Sequence, residues 1–138
     1  VSEARIRPEF MKALEDFDAQ VGTELKPRLR DMLRLRVSHL NGCAFSIRLH
    51  SEALTALGVR PEVISALARP VHAMRDGLVS EGDAAALRLA EVLTDAPRSL
   101  EASAREAAAP YFTRVQLGAI IETVALTHAW NRVMRGVE

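Results

Sequence analysis

Apolar positions recur along most of this chain with a period near 3.6 residues. Leu29, Leu33, Val37 and Leu40 form one stripe that stops at Asn41, and apolar residues return at Phe45, Ile47, Leu49, Ala53, Leu54 and Leu57 until Gly58. The spacing predicts two helices broken by Asn41-Gly42, the second ended by Gly58 as a C-terminal cap. Upstream, Pro8 at a first-turn position opens a helix to about Gln20 with Phe10, Met11, Leu14 and Phe17 along one side, closed by Gly22. Pro27 opens the helix that carries the first stripe, where its missing N–H falls among the unpaired donors of the first turn.

Downstream, Arg60-Pro61-Glu62 predicts a short helix to about Ala68, and Val71 to Val79 reads as a connection. Ser80 followed by Asp83 resembles a capping box for a helix to Thr94 with Leu87, Ala90 and Leu93 inside. Ser99 is the expected cap of an alanine-rich helix to about Ala109. Thr113 caps the longest helix, to about Gly136, whose stripe is Leu117, Ile120, Ile121, Val124 and His128. Nothing alternates with a period of two for long enough to make a strand. The expectation is an all-α domain of about seven helices spanning residues 1–138, without linker or repeat.

Composition narrows the function classes. Lys+Arg and Asp+Glu are 18 each, so the formal charge is zero, which argues against nucleic acid or an anionic membrane surface as a partner. No apolar run approaches the roughly 18 residues of a membrane span, and no signal-like pattern opens the chain, so the expected location is the cytoplasm. There the one cysteine is expected to be a free thiol. The four histidines and one cysteine show no metal-ligand spacing and there is no glycine-rich phosphate loop, so neither a metal nor a cofactor is expected.

The candidate chemistry collects between residues 31 and 50. Cys43 stands at a helix start, where unpaired N–H groups and the positive end of the macrodipole favour a thiolate. Ser46 and His50 follow at i+3 and i+7 on the same face. Asp31, Leu35, Ser38 and His39 line a face of the preceding helix, so a carboxylate and a second imidazole reach the same cleft if the Asn-Gly turn folds the helices together. His39 and His128 are candidate supporting groups. His72 is expected to be exposed. Arg28, Arg30, Arg34 and Arg36 read as a solvated or subunit-contacting set, with Arg34 or Arg36 as a holder for an anionic substrate.

The run Leu-Arg-Leu-Arg-Val-Ser-His-Leu-Asn-Gly-Cys-Ala-Phe-Ser-x-x-x-His, residues 33 to 50, resembles the active-site segment of the alkylhydroperoxidase AhpD family within the carboxymuconolactone decarboxylase superfamily. Ala-Leu-Thr-His-Ala-Trp-Asn-Arg, residues 125 to 132, is similar to that family's final helix. The resemblance implies an AhpD-like helical fold, a homo-oligomer built from dimers or assembled as a trimer or hexamer, and peroxiredoxin-type reduction of hydroperoxides by an antioxidant oxidoreductase. Aligned on Cys43, Asp31 takes the place of the family's glutamate, Ser46 that of its second cysteine, and His50 that of its histidine. In the family the second cysteine attacks the peroxide and the first resolves the sulfenic acid as a disulfide, which one sulfur cannot do.

Three functions therefore stay open. The first is a thiol peroxidase, or a degenerate relative, in which Asp31 and His50 keep Cys43 ionised and an external thiol reduces Cys–SOH. The second is a cofactor-free enzyme like the superfamily's decarboxylases, with His50 and Asp31 as acid and base on a small carboxylated substrate. The third is a non-catalytic oligomeric or redox-sensing protein. Ser46 itself reads as a natural loss of sulfur, an introduced Cys→Ser change, or a nucleophile with His50 and Asp31.

Overall fold

The computed structural model describes residues 4–74, 77–95 and 98–138. Seven α-helices and three short 3₁₀ turns account for its regular structure, and the described residues contain no strand. The helices are α1 (Pro8–Gln20), α2 (Pro27–Leu40), α3 (Ala44–Ala56), α4 (Pro61–Ala66), α5 (Glu81–Asp95), α6 (Glu101–Ala108) and α7 (Arg114–Gly136). A 3₁₀ turn at Val71–Met74 interrupts the predicted connection.

Helix α2 is the axis of the molecule. It packs against α3, α5 and α7, and every residue from Asp31 to Ser38 is buried. A helix buried on all sides is usually apolar all round, but this one buries Asp31, Arg34, Arg36 and Ser38 beside Met32, Leu33, Leu35 and Val37. The expected solvated arginine set is therefore corrected at two positions. Arg36 Nε donates to Glu91 Oε2 at 2.9 Å, and the same carboxylate oxygen accepts the Val71 N–H at 2.9 Å, tying α2 to α5 and to the segment after α4. Arg34 turns the other way, towards α1.

The Asn41-Gly42 turn supplies the predicted reversal. Gly42 has φ +62°, and the N–H of Cys43 closes onto the Ser38 carbonyl at 3.1 Å, so α3 starts directly and folds back on α2. Gly22, with φ +79°, closes α1 where a Cβ would stand 2.6 Å from Thr123 Oγ1 and 2.8 Å from Arg30 Cδ. Only glycine fits both the backbone and the space. Thr113 caps α7 as predicted, with a full capping box to Gln116, and Ser80 accepts the Asp83 N–H. Ser99 does not cap α6: it lies inside a 3₁₀ turn, and Leu100 takes the cap position without a side-chain bond. Ile121 is exposed rather than inside, because the buried face of α7 runs through Ala119, Ile120, Thr123, Val124, Thr127 and Asn131. The expected end of the α5 helix in Asp95-Ala-Pro falls partly outside the described residues. No described helix is long and apolar enough to cross a membrane.

Candidate active site

A cavity of about 600 Å³ opens between α1, α2, α3 and α7. Helix α3 contributes Ser46 and His50 one turn apart, which is why the i, i+4 spacing puts both on the cavity side. Helix α2 contributes Arg30, Asp31 and Arg34 from its own i, i+1 and i+4 positions. The rest of the wall is mostly apolar, with Met11 from α1, Phe45 and Leu49 from α3, and Trp130 and Met134 from α7. A site of this size with a few convergent polar groups on an apolar lining is the usual form of a small-molecule pocket.

Cys43 is placed differently from the sequence expectation. It occupies the N-cap of α3, as predicted, but its side chain is 0% exposed and is not part of the cavity lining. Its S–H donates to Ser46 Oγ at 3.2 Å, and Ser46, itself 3% exposed, is a lining residue. The thiol is therefore joined to the cavity wall through Ser46 without being part of it.

The polar wall combines groups whose environments push their protonation in opposite senses. Burial, with the Arg34 charge as the second cause, lowers His50 from the usual imidazole range to about 4, so it stands as neutral imidazole near pH 7. Burial raises the Asp31 carboxyl, against the opposing pull of Arg34 and Arg30. Arg34, 8% exposed, has Nη2 3.3 Å from Asp18 Oδ1 and Nη1 3.8 Å from Asp31 Oδ1. Burial lowers its pKa, as it does for any cation taken from water. The ion pair to Asp18 is too poorly aligned for a hydrogen bond, so Nη2 is a buried donor without an acceptor, and so is Arg30 Nε. Among the described residues no hydrogen bond joins His50 to Asp31, Ser46 or Cys43.

Residues 8–95 match the model of the carboxymuconolactone decarboxylase family. This chain belongs to that family. The chain is 28% identical over 140 residues to an uncharacterised Bacillus subtilis protein, YdfG, covering 96% of this chain and 90% of that one. Its fold is that of a crystallised Agrobacterium tumefaciens protein of unknown function, proposed to be the antioxidant defence protein AhpD. That likeness has a TM-score of 0.80 at 23% identity over 95% of this chain and 89% of the other. An uncharacterised peroxidase-related protein from Silicibacter sp. superposes with a TM-score of 0.83 at 19% identity, over 95% of this chain and 69% of that one.

In this member of the carboxymuconolactone decarboxylase family the remaining candidates part company. His128 belongs to an internal network rather than to the cavity. Thr94 Oγ1 donates to the Ala90 carbonyl at 2.7 Å, which leaves its oxygen to accept from His128 Nε2 at 3.0 Å. His128 Nδ1 then accepts from Asn41 Nδ2, which also donates to Asn131 Oδ1, and Asn131 Nδ2 donates to Ser38 Oγ at 3.2 Å. Burial and Arg132 lower His128, in keeping with that neutral tautomer. His39 is half-buried, lowered by burial and Arg36, and does not line the cavity. His72 is exposed as expected. No group of His, Cys, Asp and Glu suited to a metal ion occurs among the described residues.

Sequence reasoning missed Asp18 and Trp130, and Arg30 as a cavity residue. Asp18 Oδ1 accepts the Trp130 indole N–H at 3.2 Å and faces Arg34, bridging α1, α2 and the distant α7. A charged residue on the margin of an amphipathic helix carries no signal of that kind. The lone tryptophan in the family-like final helix was the one available pointer.

Proposed function

We propose that this carboxymuconolactone decarboxylase family protein is an enzyme acting by cofactor-free acid–base chemistry on a small substrate held in the cavity. The observation that carries this reading is the division of the site: Ser46, His50, Asp31 and Arg34 line the cavity, whereas the sole thiol is fully buried and outside the lining, bonded to Ser46. His50, neutral near pH 7, accepts a proton from the substrate. His50 then returns that proton to the product, while Asp31, 3.8 Å from Arg34 Nη1, holds the guanidinium where negative charge develops. Arg34 stabilises that charge in a wall sheltered from water.

The experiment is turnover of a panel of small lactones and carboxylic acids by the wild type, His50→Ala and Cys43→Ala. Removal of a working acid–base group costs about 10²–10⁴-fold in rate, and that loss is expected for His50→Ala, with Cys43→Ala retaining turnover. Activity that requires Cys43 and ignores His50 overturns the reading.

A second reading rests on the contact between Cys43 and Ser46 and on the AhpD-like fold. In it the Cys43 thiolate attacks the outer peroxide oxygen, the O–O bond breaks and the alcohol leaves with a proton; an external thiol condenses with Cys–SOH, releasing water and forming a mixed disulfide, which a second thiol cleaves to restore Cys43. It requires the sulfur to be reached through Ser46. Rapid formation of Cys–SOH by stoichiometric hydroperoxide, slowed by His50→Ala, would favour it over the acid–base enzyme. Membership of a homo-oligomer is compatible with either reading.

A further inference from the structure

Arg34 is held by charge on two sides and hydrogen-bonded on neither. Nη2 lies 3.3 Å from Asp18 Oδ1 without an aligned bond, and Nη1 lies 3.8 Å from Asp31 Oδ1, beyond hydrogen-bonding distance. The two carboxylates differ in origin. Asp31 stands at i, i+3 to Arg34 on α2, where side chains are neighbours and an ion pair forms without help from the rest of the fold. Asp18 belongs to α1 and pulls from across the gap between the helices. A guanidinium on a long rotatable stem settles on its local partner unless something opposes it.

Asp18 is placed to oppose it. Its Oδ1 accepts the Trp130 indole N–H at 3.2 Å, so a rigid aromatic group on α7 fixes the oxygen that faces Arg34. On α1, Met11, Leu14, Glu15 and Asp18 follow at helical spacing; Leu14 is the one buried residue of that helix, and the other three line the cavity. Among the described residues, Asp18 is the α1 side chain that hydrogen-bonds or ion-pairs outside its own helix. Burial lowers the Arg34 pKa, and of the two carboxylates Asp18 opposes this more than Asp31 does.

We propose that Asp18 is a positioning residue of this site: bonded to Trp130, it balances the pull of Asp31 and keeps the Arg34 guanidinium between the two carboxylates, poised to face negative charge on a substrate. The inference rests on the acid–base reading, in which Arg34 stabilises the developing charge. Without Asp18 the guanidinium closes on Asp31, its charge is neutralised locally, and Nη1 donates to that carboxylate instead of to the substrate. Asp18 acts through Arg34 rather than on the reacting atoms.

The isosteric change Asp18→Asn tests this, because the amide oxygen can still accept the indole N–H while the charge is lost. Asp16→Asn removes a charge from the same helix, where its partner is the exposed Lys12, and serves as the matched control. In crystals of Asp18→Asn, Arg34 is expected to close on Asp31 to about 2.7–3.2 Å, the ordinary N–H···O distance, while Asp16→Asn keeps the wild-type arrangement. With any lactone or carboxylic acid of the panel that the wild type turns over, Asp18→Asn is expected to lower kcat by up to about a hundredfold, the scale of a group misplaced by an ångström. KM is expected to change little, since Arg34 meets charge formed in the transition state. Asp18→Glu, which restores the carboxylate, is expected to recover part of the loss. An unmoved Arg34 in Asp18→Asn overturns the inference even if the variant melts at a lower temperature, because a mere staple for α1 would lower stability and leave the guanidinium in place. A displaced Arg34 in the variant, with no His50-dependent turnover by the wild type, would sink the acid–base reading and leave the positioning by Asp18 standing. His50-dependent turnover that Asp18→Asn leaves intact does the reverse.

Discussion

Cys43 and Ser46 face each other across the first turn of α3, the thiol donating to the hydroxyl at 3.2 Å. The contact places a hydroxyl where a second thiol would complete a Cys-x-x-Cys pair. Ser46→Cys is expected to allow an intramolecular disulfide with Cys43 after only small side-chain rotations, since the two side chains already meet. Thiol counting and a mass loss of about two hydrogens after mild oxidation would detect it. Two persistently free thiols would show that the hairpin holds the pair in a geometry a disulfide cannot adopt.

The electrostatics of His50 give a pH dependence of definite sign. Its folded-state pKa, about 4, lies below the ordinary 6.5, so between those values the unfolded chain binds a proton that the folded chain does not. Stability is therefore complete above about pH 6.5 and falls as the pH drops towards 4, by an amount on the order of 3 kcal/mol. His39 and His128, also lowered, act in the same direction, while the raised carboxyls of Asp31 and Asp83 oppose it at the acid end. Denaturant unfolding at several pH values checks this. Arg34→Met is expected to raise the His50 pKa only part of the way, because burial is the larger cause.

Asn131 is completely buried and joins α7 to both ends of the Ser38 to Asn41 segment. Asn131→Leu removes both bonds and leaves Ser38 and Asn41 with lost partners in the interior. The expected cost is about 2–4 kcal/mol, read as a lower denaturation midpoint. A loss below about half a kcal/mol, the size of an ordinary surface substitution, would mean that the network contributes no net stability.

Arg36 and Glu91 form a buried pair at 2.9 Å, closed by the Val71 N–H. Glu91→Ala strands a guanidinium in the core and is expected to cost about 3–5 kcal/mol, whereas the double replacement Arg36→Met, Glu91→Leu should recover much of the loss. If the double variant is as unstable as the single one, the bond to Val71 rather than the ion pair holds the region together.

The sequence by itself determined the helices and the hairpin at the site. Pro8, Pro27, Pro61 and Thr113 open helices, Gly22, Gly42 and Gly58 turn the chain where positive φ is needed, and the i, i+4 spacing puts Ser46 and His50 on one cavity wall. These signals are local, arising from backbone sterics and helical periodicity within a few residues. Tertiary structure decided the chemical environment. Only the packing of α2 among its neighbours sends Arg36 to Glu91 on α5 and Arg34 to Asp18 on α1, and draws His128 of α7 into a network with Asn41. Only the same packing buries Cys43 completely and lowers His50. Desolvation depends on every element that closes over a group, including helices 100 or so residues away, such as α7, and periodicity along one helix does not encode it.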